Sequence, residues 1–126
     1  MVMCICLTSC TGSTIASLDL TTWQHTRDLA VQKAKAREYN FIIEHLIATG
    51  LADRMIQKYG ESNWKTEITE QMLKSLPYYF SWLKKCTVKM ENDRILLTGK
   101  HGCYAIFRKV GSRYLLLDVG QKLSSM

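Results

Sequence analysis

His101 and Cys103, on either side of Gly102, have the types and spacing of a base and its nucleophile. A thiol becomes nucleophilic when a neighbouring imidazole takes its proton, and a two-residue spacing in extended chain sets both side chains on one face. Nothing around the pair supplies an oxyanion hole, so the two residues alone do not specify acyl transfer. Asp118 is a second candidate, either as the acid or base of a pocket or as a strand-end carboxylate paired with a nearby lysine. Arg108 and Arg113 are a third: a turn at Gly111-Ser112 makes them diagonal neighbours across a hairpin and a candidate anion site. Cys4, Cys6 and Cys10 have no partner pair at zinc-finger spacing, and His25, His45 and His101 are scattered, so no metal and no cofactor is expected. Phosphate-cradling glycine loops, His-Glu-x-x-His and nucleophile-elbow patterns are also missing.

Aromatic residues crowd the stretch Tyr78-Tyr79-Phe80-Ser81-Trp82-Leu83, just ahead of Lys84-Lys85. Aromatics at helical spacing bury a great deal of area, so the first expectation is a plug over the core and the second a stacking surface. Tyr79, Trp82 and Tyr104 are the aromatic candidates for contact with a ligand. Arg108, Arg113 and Asp118 are the charged ones.

The elements that must position these residues fit one domain of 126 residues with ordinary globular composition, 47% hydrophobic and 22% charged. No run of about 18 apolar residues occurs. The net charge of +6 is uneven. Acids and bases cancel through residue 83. Beyond it, Lys84, Lys85, Lys89, Arg94, Lys100, Arg108, Lys109, Arg113 and Lys122 outweigh Glu91, Asp93 and Asp118. A basic sheet segment suits nucleic acid, anionic lipid or an acidic ligand, or serves only as a solvated face. Five cysteines, an odd number, make no disulfide framework; Cys86 and Cys103 are expected to pack as small hydrophobes.

Apolar spacing predicts a long helix over Thr22–Ile47 with Thr22 as N-cap and a stripe of Leu29, Ala36, Tyr39, Ile43 and Leu46. Thr49-Gly50 is read as its stop. A short helix follows over Leu51–Tyr59 and ends at Gly60. A third starts near Asn63 or Thr66, and Pro77 imposes a kink or a fresh start.

The remainder reads as two β-hairpins: Thr87–Met90 with Arg94–Thr98, and Cys103–Val110 with Arg113–Val119. A two-residue turn at Gly111-Ser112 sets Val110 opposite Arg113, Arg108 opposite Leu115 and Ile106 opposite Leu117. Asp118 then shares a face with Phe107 and Leu116. Both faces are mixed in character, which predicts partial cover on both sides of the sheet. The fold class is therefore α+β, with N-terminal helices packed on a C-terminal antiparallel sheet of about four strands.

The order of helix, short helix and aromatic helix ahead of TVKMENDRILLTGKHGCYAIFRKVGSRYLLLDVG resembles the C-terminal half of cystatin-like and nuclear-transport-factor-2-like cone folds. It is similar in particular to bacterial envelope lipoproteins of that superfamily, with Arg113-Tyr114-Leu115-Leu116-Leu117-Asp118 as the last hairpin's basic residue, aromatic and apolar run. The resemblance covers about residues 25–120 and carries no catalytic motif. It implies a curved sheet wrapped on the long helix, with a pocket between them.

Leu7-Thr8-Ser9-Cys10 also resembles a lipobox, in which Cys10 would be acylated and become the mature N-terminus. No Lys or Arg precedes the apolar run, a departure that a start assigned too far downstream would explain. The alternatives are a cytoplasmic tail or an added strand. Residues 1–22 are therefore assigned to a tail or signal-like segment and 23–126 to a single domain. The expected function is a non-enzymatic module binding a small ligand or a protein partner. It would lie in the cell envelope if the lipobox holds and in the cytoplasm otherwise, meeting membrane only through a lipid anchor. The alternative is a small basic protein that binds nucleic acid through the sheet face, and a pocket enzyme using Asp118 ranks last.

Overall fold

The computed structural model describes residues 19–122. Thr22 caps the first helix as expected: its backbone is extended (φ −129°, ψ 151°) and its hydroxyl accepts from the His25 amide at 3.2 Å. That bond satisfies one of the donors a helix start leaves open.

α1 runs Trp23–Lys35 and stops there, so the expected helix to Ile47 is divided. Arg37 adopts the left-handed conformation (φ 60°). The Glu38 amide donates to the Lys33 carbonyl at 2.8 Å and the Arg37 amide to the Ala34 carbonyl at 3.1 Å. These two bonds form a Schellman closure with arginine at the position glycine usually takes. α2 restarts at Tyr39–His45, and Lys33 pairs with Glu38 at 2.9 Å across the break. The division also moves the buried stripe. Thr26, Ala30 and Ala34 are buried, whereas Ala36 is exposed.

Thr49 and Gly50, read as a stop, instead begin α3 (Thr49–Tyr59) after an extended Ala48. Gly50 lies against Leu117, where a Cβ would come within 3.1 Å of the leucine Cδ1. Its role is close approach, not a left-handed turn. α3 ends at Gly60 (φ 89°), as expected. α4 (Trp64–Gln71) leads through the 3-10 turn Leu73–Ser75 into α5 (Leu76–Trp82). Pro77 falls in the first turn of α5, where its missing N–H breaks no bond.

The sheet follows, antiparallel in the order β1 (Thr87–Glu91), β2 (Arg94–Thr98), β3 (Cys103–Val110) and β4 (Arg113–Gln121). The α+β architecture, helices first and sheet last, is as expected. Gly111 takes φ 66° in the tight turn, and Val110–Arg113 and Arg108–Leu115 pair as read from the sequence. Beyond them the register differs. A bulge pairs Phe107 with Leu116 and Ile106 with Asp118, leaving Leu117 as the extra residue. Leu116 and Leu117 are both buried, and Asp118 is transferred to the face of Ile106 and Tyr104.

Ile95, Leu97, Ala105, Phe107, Leu116 and Val119 are buried within one core. The Phe107 ring packs against Trp23 and Phe80, with centroids 6.0 and 6.1 Å away. On the opposite face Leu96, Tyr104, Ile106 and Asp118 are half-buried and Leu115 is buried, so cover is partial there.

The two sheet edges differ. Along β4 the Tyr114 amide donates to the Leu20 carbonyl (2.8 Å) and the Thr26 hydroxyl donates to the Tyr114 carbonyl (2.6 Å). The Leu116 amide donates to the Leu46 carbonyl (2.8 Å) and its carbonyl accepts from Ala48 (2.7 Å). Arg54 adds a bond to the Leu117 carbonyl. At the other edge, all five residues of β1 are exposed.

Candidate functional site

Trp82 ends α5, one turn after Tyr78, and the two rings meet with centroids 4.2 Å apart. On its other flank is the β2–β3 connection, Gly99–Gly102. Gly99 sits so close to the helix end that a Cβ there would lie 2.6 Å from the Trp82 carbonyl oxygen. Gly102 (φ 77°) is pressed on the Lys122 backbone, 2.0 Å from where its Cβ would be. The Gly99 amide donates to the Cys103 carbonyl and the Lys122 amide to the Gly102 carbonyl, both at 2.9 Å. Between these fixed points His101 is held at φ 60°. Its carbonyl accepts from Gln121 Nε2 at 2.8 Å, and its imidazole lies 4.6 Å from the Trp82 ring.

Lys84, Lys85 and Lys100, with Ser81 and Trp82, line a surface hollow of about 200 Å³ beside this stack. None of the three lysines pairs with a carboxylate among the described residues. Ser81 and Lys84 also border a larger hollow of about 490 Å³ between α1 and α5, lined by Arg27, Asp28, Val31, Lys35, Pro77 and Phe80. Arg27 is neutralised there by Asp28 at 2.8 Å. The two hollows together form a cationic tract with an apolar floor. An ammonium head is a compact point charge suited to phosphate oxygens, and a ring beside it adds a surface for a flat group.

The residues singled out in the sequence fall into separate groups. Tyr104 and Asp118 meet on the sheet face, where the Tyr104 hydroxyl donates to Asp118 Oδ2 at 3.1 Å. Asp118 Oδ1 accepts from the Val119 amide at 2.9 Å. The basic partner expected for Asp118 is Arg54, at 3.7 Å, rather than a lysine. Burial, then the Asp118 charge and hydrogen bond, raise the Tyr104 hydroxyl above its ordinary value. Tyr79 is half-buried on α5, and the plug expected of the aromatic run is Phe80, while Tyr78 stays exposed. Arg108 spends its charge on Asp93 at 3.2 Å, and Arg113 stands exposed at the hairpin tip.

His101 and Cys103 do not form a nucleophile and base. The His101 conformation is not extended, so the spacing argument fails, and the Cys103 thiol is buried and its pKa raised by desolvation. Cys4, Cys6 and Cys10 lie outside the described residues. Among the described residues no cluster of three metal-ligating side chains occurs, and no helix is long and apolar enough to cross a membrane.

Sequence reasoning selected Trp82 but missed Lys100 and His101 as its neighbours, and Arg54 as the partner of Asp118. The signal for the first was present: two glycines bracketing Lys100-His101 mark a backbone forced close to something. Arg54 has no such local mark. Compared with known proteins, the chain matches no family model, no curated protein and no solved structure.

Proposed function

We propose that the protein is a non-enzymatic binding module whose ligand is a small phosphate-bearing anion seated in the lysine-lined hollow beside the Trp82–His101 stack. The observation that carries this reading is the His101 backbone. A non-glycine residue in the left-handed region costs energy and persists only where its surroundings impose it. Here Gly99 and Gly102 impose it, and the result is an imidazole fixed against Trp82 beside Lys84, Lys85 and Lys100.

A binding role without chemistry is supported by what the other candidates do. Asp118 spends both oxygens inside the fold, and Cys103 is buried. Placement in a cell envelope is a separate proposal that rests on Leu7-Thr8-Ser9-Cys10. A nucleic-acid surface on the sheet has less support, because Lys89 is paired to Glu91 at 3.3 Å and Arg108 to Asp93.

Calorimetric titration of the full chain with pyrophosphate and with adenosine monophosphate tests the proposal. Binding should weaken as salt is added, and Lys84→Glu or Lys100→Glu should each cost about tenfold in affinity, or about 1.4 kcal/mol. No heat from either probe at low ionic strength, or unchanged affinity in both variants, overturns it.

A further inference from the structure

The two edges of the sheet are treated in opposite ways. β4 is bonded from Tyr114 to Leu117 by Leu20, Thr26, Leu46, Ala48 and Arg54, so over that stretch its outward peptide groups are satisfied within the chain. β1 is exposed at every residue, and on it Val88 and Met90 leave 46% and 69% of their surface in solvent. An open edge is a template for another strand.

Which backbone groups β1 offers follows from its turn. Glu91 pairs with Arg94 across the two-residue connection Asn92-Asp93, so this is the hydrogen-bonded closing pair. The amides and carbonyls of Glu91, Lys89 and Thr87 therefore point into the sheet toward β2. Those of Val88 and Met90 point out.

We infer that two copies of this chain associate through β1, antiparallel and centred on Met90, forming one continuous eight-stranded sheet. The choice of a second copy rests on charge. Lys89 and Glu91 stand on one face of β1, 3.3 Å apart within the chain. Two-fold pairing centred on Met90 sets Lys89 directly opposite Glu91 of the second copy, twice over. It also joins the outward Met90 peptide groups to each other and brings the two exposed methionines together. Pairing centred on Lys89 would set two lysines directly opposite, which opposes association. Charge thus favours the Met90 register over the Lys89 one, and only in the Met90 register do Lys89 and Glu91 face each other across the seam.

Sedimentation equilibrium of the full chain tests this, with circular dichroism confirming that each variant is folded. The wild type should show a monomer–dimer equilibrium. Lys89→Glu and Glu91→Lys should each be monomeric, since each sets like charges opposite, and mixing the two should restore a dimer. The exchange works because one chain then carries two acids and the other two lysines. A wild type that stays monomeric at millimolar concentration, or variants that dimerise like the wild type, overturns the inference. The lysines of the Trp82 hollow lie outside this contact, so its outcome is independent of ligand binding there.

Discussion

Gly99 and Trp82 are in backbone contact: no side chain of any size fits at 99 without moving the carbonyl that ends α5. The glycine is not there for its conformational freedom, since its φ of −138° suits any residue. It is there because the β2–β3 connection crosses the helix end. Gly99→Ala must therefore push backbone against backbone, which neither side relieves by changing rotamer. The expected loss is about 1–3 kcal/mol, read by urea denaturation, together with weaker ligand binding at the Trp82 hollow. Gly111→Ala is the control. Its φ of 66° carries strain but its surroundings are open, so it should cost about 1–2 kcal/mol and leave binding unchanged.

Arg37 offers a change in the other direction. It closes α1 in the left-handed conformation, its side chain exposed and making no ion pair among the described residues. Arg37→Gly removes the Cβ penalty and keeps the two closing bonds. Part of the gain is offset by the greater freedom of glycine in the unfolded chain. A net stabilisation of about 0.5–1 kcal/mol is expected, visible as a higher denaturation midpoint with an unchanged slope. Destabilisation would show that the arginine side chain has a role of its own.

Leu116 and Leu117 test the bulge. In a regular strand, consecutive residues face opposite sides, and one of two adjacent leucines tolerates a charge wherever one face is wet. Here both are buried, Leu116 completely. Leu116→Asp and Leu117→Asp should each destabilise by about 3 kcal/mol or more, whereas Val88→Asp on the exposed edge should stay within about 0.5 kcal/mol. Tolerance of Leu117→Asp would remove the bulge from the description.

These positions also show where the sequence was legible and where it was not. The strands could be read because Gly111-Ser112 and Glu91-Asn92-Asp93 punctuate β-rich runs, although Glu91 itself closes β1, and the Gly111-Ser112 turn alone sets the register as far as Arg108–Leu115. The bulge could not be read, because Leu115-Leu116-Leu117 offers no alternation to reveal a skipped residue. The break at Arg37 was hidden for a related reason. Ala36-Arg37-Glu38 are good helix formers, and the chain turns there because Leu46 and Ala48 have to reach the β4 edge. That demand is tertiary and leaves no local mark. At the candidate site, Trp82 was visible as an aromatic beside Lys84-Lys85. His101 and Lys100 reach it only through closure of the β2–β3 connection.

Tyr104 links the sheet face to pH. Its hydroxyl lies above the ordinary value of 10.0, from burial first and then from Asp118, which both repels the phenolate and accepts the phenol proton. The folded protein therefore holds this proton more tightly than the unfolded chain does. Where the unfolded chain has released it and the folded one has not, stability falls as pH rises. The contribution is complete below about pH 10 and is lost as pH climbs through the folded value. Tyr104→Phe has no proton to lose. It should be slightly less stable than the wild type at neutral pH, because Asp118 Oδ2 forfeits a donor, and its stability should fall less steeply above pH 10. Urea denaturation of both proteins from pH 8 to pH 11 reads the difference directly, since the lysines titrate alike in the two chains. Parallel curves would show that Tyr104 titrates as it does in the unfolded chain, and the Tyr104–Asp118 contact would then carry no weight in the fold.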